Sequence, residues 1–205
     1  MVTVDGLKAI RSVDTHMADL AAVILVGGKS SRMGRDKALL PIAGKRLVDV
    51  VADAVRAADI THLYVSGTCE GYASIPDLLP ERGPVGGICS CVVQLSGKHT
   101  RLLFIPVDMP RITPELLRLL IAQPSDRACH FAEHPLPCIV PVHKVMLRYV
   151  DAVAQDLARK KKVSVKEFLS GLAATPFAVS DSLQLSLTNT NTPEEWKEVT
   201  YEHTY

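Results

Sequence analysis

The chain switches between two spacings of apolar residues. Residues 21–26 are an unbroken apolar run, Ala-Ala-Val-Ile-Leu-Val, which predicts a strand covered on both faces. Residues 46–58 instead place Leu47, Val50, Val51, Ala54 and Val55 three and four apart, which predicts a helix with one apolar stripe. The two signatures then take turns. Residues 62–66 predict a short strand. The turn Gly83-Pro84-Val85-Gly86-Gly87 leads into an apolar stretch that predicts a helix ending at Leu95. Residues 102–106 predict a buried strand that stops just short of Asp108. Thr113 before Pro114 marks a helix start, a hydroxyl cap followed by proline at the first helical position, and the helix continues to residue 121. Residues 138–142 predict a strand, 144–158 a helix on Val145, Leu147, Val150, Val153, Ala154 and Leu157, and 163–172 a second, short helix. Residues 177–179 and 185–187 are predicted strands, and Thr192-Pro193-Glu194-Glu195-Trp196 opens a last helix.

Strands alternating with helices predict a three-layer α/β/α, Rossmann-like architecture with a mostly parallel sheet. Ligands in such sheets sit beyond the carboxyl ends of the strands. The Gly27-Gly28 pair and Asp108 both follow strands at that end, so they are expected to converge. No internal repeat, low-complexity tract or linker interrupts the 205 residues. We expect one domain over residues 17–205, preceded by an N-terminal extension at 1–16, with Met17 a candidate start.

The first strand runs into the most informative stretch of the chain, Leu25-Val26-Gly27-Gly28-Lys29-Ser30-Ser31-Arg32-Met33-Gly34-Arg35-Asp36-Lys37-Ala38-Leu39-Leu40. A glycine pair lets backbone N–H groups approach oxyanions closely. Cations at fixed offsets behind it (Lys29, Arg32 and Lys37) suit a triphosphate. Neither common phosphate motif accounts for it. A Walker A loop ending at Gly28-Lys29-Ser30 would need glycine where Val23 stands, and Gly27, Gly28 and Gly34 do not fit G-x-G-x-x-G.

Composition narrows the class. Hydrophobic residues make up 47% and charged residues 22%, the profile of a soluble globular protein. The net charge of +1 provides no field to draw the chain to nucleic acid or an acidic membrane, so any polyphosphate affinity must come from local placement of cations. No apolar run approaches the roughly 18 residues of a membrane helix. Asp5, Lys8, Arg11, Asp14 and Asp19 leave no apolar signal-peptide core near the start. The cysteines, Cys69, Cys89, Cys91, Cys129 and Cys138, are odd in number and lack a C-x-x-C pair, which reads as reduced thiols of a cytoplasmic protein.

The pattern L-x-G-G-x-x-x-R-M-G-x-x-K-x-x-L resembles the signature loop of nucleotidyltransferases that join a nucleoside triphosphate to a phosphate. Within them it is most similar to the molybdenum cofactor guanylyltransferase family, whose Leu-x-Gly-Gly form is associated with guanine. Relatives that use cytidine typically carry Ala-Gly at the positions of Gly27-Gly28. Val107-Asp108-Met109-Pro110 resembles that family's metal aspartate followed by proline. Residues 188–195, Thr-Asn-Thr-Asn-Thr-Pro-Glu-Glu, resemble its late Asn-x-Asn-Thr-Pro-Glu-Glu motif.

The resemblance implies roles. Gly27 and Gly28 present N–H groups to the nucleotide, and the backbone of Leu25 and Val26 helps to read guanine. Lys37 and Arg32 stabilise charge on the triphosphate, with Lys29 and Arg35 as weaker candidates. Asp108 holds Mg2+, which Mn2+ can replace, since such an ion takes one or two protein carboxylates plus phosphate oxygens. Asp77 contacts the nucleotide, and the turn at Gly86 packs close to its base or ribose. Ser66 contacts the nucleotide where relatives often carry asparagine, a departure that shortens the reach. Asn189 and Asn191 bind acceptor oxygens, as do Lys161 and Lys162 in the basic run 159–162. His130, His134 and His143 show no ligand spacing. Residues 123–137, which carry Pro124, Pro135 and Pro137, are expected to shape the acceptor pocket or a protein contact.

The implied reaction transfers GMP from GTP to molybdopterin carrying molybdenum and releases pyrophosphate. Transient contact with cofactor-synthesis proteins or target molybdoenzymes follows from such a product. Two alternatives remain open on the sequence: an enzyme of the same fold using CTP or a sugar-phosphate acceptor, and a non-catalytic nucleotide-binding partner that delivers cofactor.

Overall fold

The computed structural model describes residues 20–26 and 37–202. Nine strands and seven α-helices are described. The strands are β1 (Leu20–Leu25), β2 (Pro41–Ile42), β3 (Lys45–Arg46), β4 (His62–Ser66), β5 (Ala73–Ile75), β6 (Arg101–Pro106), β7 (Cys129–Phe131), β8 (His134–Pro141) and β9 (Thr175–Phe177). The helices are α1 (Leu47–Ala57), α2 (Gly83–Leu95), α3 (Pro114–Ile121), α4 (Lys144–Ala158), α5 (Val165–Gly171), α6 (Asp181–Gln184) and α7 (Pro193–Glu202).

Seven strands form one sheet in the order β5-β4-β1-β6-β8-β7-β9, and β2 pairs with β3 in a separate hairpin. β1, β4, β5 and β6 run parallel, while β8 is antiparallel to both β6 and β7. The sheet is therefore mostly parallel, as the alternation of elements predicts.

Alternate residues of β1 feed two separate cores, which explains its unbroken apolar run. Leu20, Ala22 and Ile24 pack with α1, α3, Leu187 and Val199 on one face. Ala21, Val23 and Leu25 pack with α2, α4 and α5 on the other. A strand so covered has no face left for polar side chains. At about 25 cal/mol per Å2 of apolar surface, these two buried layers supply the main drive for folding.

The predicted elements lie close to those observed. Thr113 caps α3 through its side chain, which accepts from Leu116 N–H, and Pro114 follows it. Three readings need correction. Residues 185–187 are not a strand but a 3-10 turn, because α6 runs directly into them and Thr188 N–H closes on Leu185 O. The strand at 177–179 lies earlier, at Thr175–Phe177, where it pairs with β7. The turn at 83–87 is itself the first part of α2, since proline fits a helix start where no N–H bond is required. Strands β5 and β7 gave no sequence signal: each has three residues, too few to display a period.

The chain leaves β1 toward β4 on one side and later returns through α2 to β6 on the other. The order reverses between β1 and β6, and their carboxyl ends, at Leu25 and Pro106, are register partners. Such a reversal leaves a crevice for a ligand.

Candidate active site

Two loops and a late segment meet at that crevice. Lys37 opens a 3-10 turn, Lys37–Leu39, and Asp108 lies two residues beyond β6. Lys37 Nζ stands 3.3 Å from Asp108 Oδ2, and both side chains are about one-fifth exposed (21% and 20%). The segment after the second 3-10 turn completes the group. Thr190 N–H donates to Asp108 O at 2.8 Å. Lys37 Nζ donates to Asn191 Oδ1 at 2.8 Å and lies 3.4 Å from Thr190 O. One ammonium thus faces three oxygens from two distant parts of the chain.

The late segment is braced by the helix it precedes. Glu195 Oε2 accepts from Asn191 N–H at 2.7 Å and Thr192 N–H at 3.0 Å, and Glu195 N–H donates to Thr192 Oγ1 at 3.2 Å. This is a capping box. The N–H bonds from Asn191 and Thr192 hold the Glu195 carboxyl below the usual carboxylate range.

Leu25 is buried, and its carbonyl accepts from Val107 N–H at 3.2 Å, so the ends of β1 and β6 are tied together. Val26 is half-buried at the head of the glycine loop. Gly27, Gly28 and Arg32, with Lys29 and Arg35, lie outside the described residues.

Ser66 ends β4 but is only 4% exposed. It lies under α2, where its Oγ would be 2.6 Å from a Cβ at position 87. Position 87 is therefore restricted to glycine by Ser66 itself. Gly86 is buried in α2, where a Cβ would come within 2.9 Å of Leu79 O and Arg82 Cβ. Asp77 is exposed two residues beyond β5, and its Oδ1 accepts from Leu79 N–H at 2.9 Å and from the Ser90 hydroxyl at 3.0 Å.

Two of the acceptor candidates stand apart. Lys161 Nζ is paired with Asp156 Oδ2 at 2.7 Å on an exposed surface, and Lys162 is exposed beside it. Asn189 is exposed next to Thr190. Residues 123–137 contain a loop, β7 and the start of β8, inside the edge strand β9. The thiols are all buried and form no disulfide, and burial pushes Cys89, Cys91 and Cys138 up to about 12, which removes those three from nucleophilic chemistry at neutral pH.

Ser90 and Gln94 escaped the sequence reading. A serine inside an apolar helix carries no recognisable motif, and its partner Asp77 is 13 residues away.

Among the described residues no group of three or more His, Cys, Asp or Glu converges. A structural metal cage is thus absent there. A single partly exposed carboxylate instead fits an ion that arrives with phosphate oxygens.

The sequence family described as a MobA-like NTP transferase domain matches residues 22–172. A protein named molybdenum cofactor guanylyltransferase from Xanthomonas euvesicatoria pv. vesicatoria is 34% identical, covering 88% of this chain and 94% of its own length. A probable molybdenum cofactor guanylyltransferase from Pelotomaculum thermopropionicum is 27% identical, covering 87% and 91%. The crystal structure of molybdopterin-guanine dinucleotide biosynthesis protein A from Archaeoglobus fulgidus superimposes with a TM-score of 0.68 at 19% identity, covering 89% of this chain and 97% of that one.

Proposed function

Because the chain belongs to the MobA-like NTP transferase family and is a nucleotidyltransferase, we propose that it transfers GMP from GTP to molybdopterin carrying molybdenum. The observation that carries this reading is the meeting of Lys37 and Asp108 at the point where the sheet order reverses, 3.3 Å apart.

Asp108 would hold Mg2+, or Mn2+ in its place, together with oxygens of the triphosphate. Bound there, such an ion would supply charge neutralisation at the reacting phosphates. The chain's own side chains do the rest. Lys37 exchanges Asp108 for a phosphate oxygen and stabilises the charge that develops as pyrophosphate leaves. Its bond to Asn191 keeps the ammonium within reach while the exchange occurs. Arg32 supplies a second positive group, and the N–H groups of Gly27 and Gly28 hold the triphosphate in line. The backbone of Leu25 and Val26 helps to read guanine, at a strand end that Val107 N–H fixes through the Leu25 carbonyl. Asp77 binds the nucleoside part, and Gly86 lets α2 come close to it.

The acceptor's terminal phosphate attacks the α-phosphorus of GTP. A phosphate is already anionic, so the protein needs no general base, and positioning with electrostatics is sufficient. Asn189, Asn191, Lys161 and Lys162 are assigned to the acceptor. No helix among the described residues is long and apolar enough to cross a membrane, and we place the enzyme in the cytoplasm.

The test is thermal stabilisation by GTP, CTP, ATP and UTP, each with Mg2+. A ligand that binds only the folded state adds about 2.7 kcal/mol at 100 times its dissociation constant. GTP alone should produce the shift. A shift with CTP instead would move the substrate to cytidine, and none with any nucleotide at millimolar concentration would favour a delivery protein without catalysis. Turnover with GTP and isolated molybdenum cofactor, read as pyrophosphate release, tests the acceptor.

A further inference from the structure

The loop that carries Asp77 is held by a helix to which it does not belong. Ser90, in the middle of α2, is 2% exposed. Its Oγ accepts from Leu78 N–H at 2.9 Å and lies 3.0 Å from Asp77 Oδ1 and 2.8 Å from Gly86 O. One turn later Gln94 Nε2 donates to Pro76 O at 2.8 Å and to Ser90 O at 3.0 Å. Residues four apart share a helix face, so this face grips residues 76, 77 and 78 in succession.

The hydroxyl has one proton and two acceptors within reach. Gly86 O has its own place in the helix ladder, whereas Asp77 Oδ1 is charged, and charge-assisted bonds are the stronger ones. The proton is therefore drawn to Asp77. With Leu79 N–H also on Oδ1, both hydrogen bonds of the carboxylate fall on one oxygen. Oδ2 has no hydrogen-bond partner among the described residues. A carboxylate fixed by one oxygen with the other available is organised for a ligand before the ligand arrives. Gly86 completes the contact from below, since its missing Cβ lets Leu79 O approach the helix.

We propose that Ser90 and Gln94 are positioning residues that set Asp77 for the nucleoside part of the substrate. The inference rests on the reading of Asp77 as a nucleotide contact. Neither residue touches substrate; each acts through the loop.

The test compares equilibrium binding of GTP and of inorganic tripolyphosphate, both with Mg2+, to wild type, Ser90→Ala, Gln94→Ala and Asp77→Ala. Tripolyphosphate has no base or ribose, so it reports the phosphate site alone. Ser90→Ala should weaken GTP roughly tenfold, as expected for a lost bond to a charged group, and leave tripolyphosphate within about twofold. Gln94→Ala, on the less buried side of the clamp, should act the same way about threefold. In turnover both should raise the KM for GTP with kcat nearly unchanged. Equal weakening of both ligands, or a fall in kcat matching the rise in KM, would mean general loosening and overturn the proposal. If Asp77→Ala weakens GTP while both helix variants bind as wild type, the clamp is wrong and the role of Asp77 stands. If Asp77→Ala itself binds GTP normally, the premise fails and the clamp fails with it.

Discussion

Lys37 and Asn191 are 154 residues apart in sequence and joined by a 2.8 Å hydrogen bond from Nζ to Oδ1. The bond fastens the late segment to the 3-10 turn that Lys37 opens. The same ammonium faces Asp108, so a cation already balances the carboxylate before any metal arrives. In the proposed reaction, triphosphate and metal together would separate the pair, since one would offer the lysine new oxygens and the other would take its place at Asp108.

Lys37→Met should therefore cost activity far more than stability. Loss of one preorganised charge at a phosphoryl-transfer site lowers kcat by roughly 100- to 1,000-fold. The partly exposed pair contributes less than about 1 kcal/mol to folding. Pyrophosphate release and a thermal melt on the same preparation check both halves. A variant that melts early and retains normal kcat would make the lysine structural.

Metal removal should act on turnover without acting on the free fold. Among the described residues nothing resembles a multi-carboxylate cage, so chelation should leave the melting temperature of the nucleotide-free protein unchanged. The same chelation should abolish both transfer and stabilisation by GTP. Asp108→Asn should mimic it, with kcat falling at least about 100-fold at saturating Mg2+. A metal-dependent melt of the free protein would show a second, structural ion.

Much of this was legible in the sequence, for physical reasons. A strand buried on both faces must be apolar throughout, so β1 and β6 announce themselves. The caps of α3 and α7 use side chains with strong positional preferences. The Gly27-Gly28 pair and Asp108 could be assigned to one end of the sheet because each follows a strand of a mostly parallel sheet. What the sequence hid depends on tertiary contact. The Asp77–Ser90 bond joins a loop to a helix with no periodic signal, and residues 185–187 look strand-like only until the preceding helix is seen to continue. Ser66 looked like a ligand contact from its place at the end of β4, but its burial under α2 depends on Gly87, which only the packing reveals.

That packing gives a prediction with an unusual sign. Gly→Ala inside a helix ordinarily stabilises by up to about 1 kcal/mol. At Gly87 the new Cβ would be 2.6 Å from Ser66 Oγ, and the serine is buried, so it has little room to turn away. Gly87→Ala should destabilise by about 1–2 kcal/mol. Ser66→Ala in the same chain removes the obstructing oxygen, and the double variant should recover most of the loss. Denaturant melts of the four proteins form the cycle. Additive effects of the two substitutions would show that the clash is relieved elsewhere.

The final prediction concerns acid stability at the entrance to α1. Asp49 accepts from Arg46 Nε and Nη2, both at 2.8 Å, and from the Tyr72 hydroxyl at 2.7 Å, while Arg46 also donates to Glu70 O at 2.9 Å. The cluster ties the start of α1 to the loop between β4 and β5. The Arg46 guanidinium holds the Asp49 carboxyl down at about 2, from an ordinary 3.8. A carboxyl lowered in the folded state binds its proton more readily when unfolded, so its stabilising effect is complete above pH 3.8 and disappears as pH falls through about 2. The side chain is 28% exposed, and after solvent screening the effect should be about 1 kcal/mol. Asp49→Asn should lie below wild type by that amount at neutral pH, and the two stability curves should converge between pH 4 and pH 2. Burial, with Asp49 as the second cause, pushes the Tyr72 hydroxyl up to about 12. The same substitution should therefore lower the alkaline midpoint of Tyr72, read by ultraviolet absorbance. Parallel acid curves that never converge would mean that Asp49 acts through packing and not through its charge.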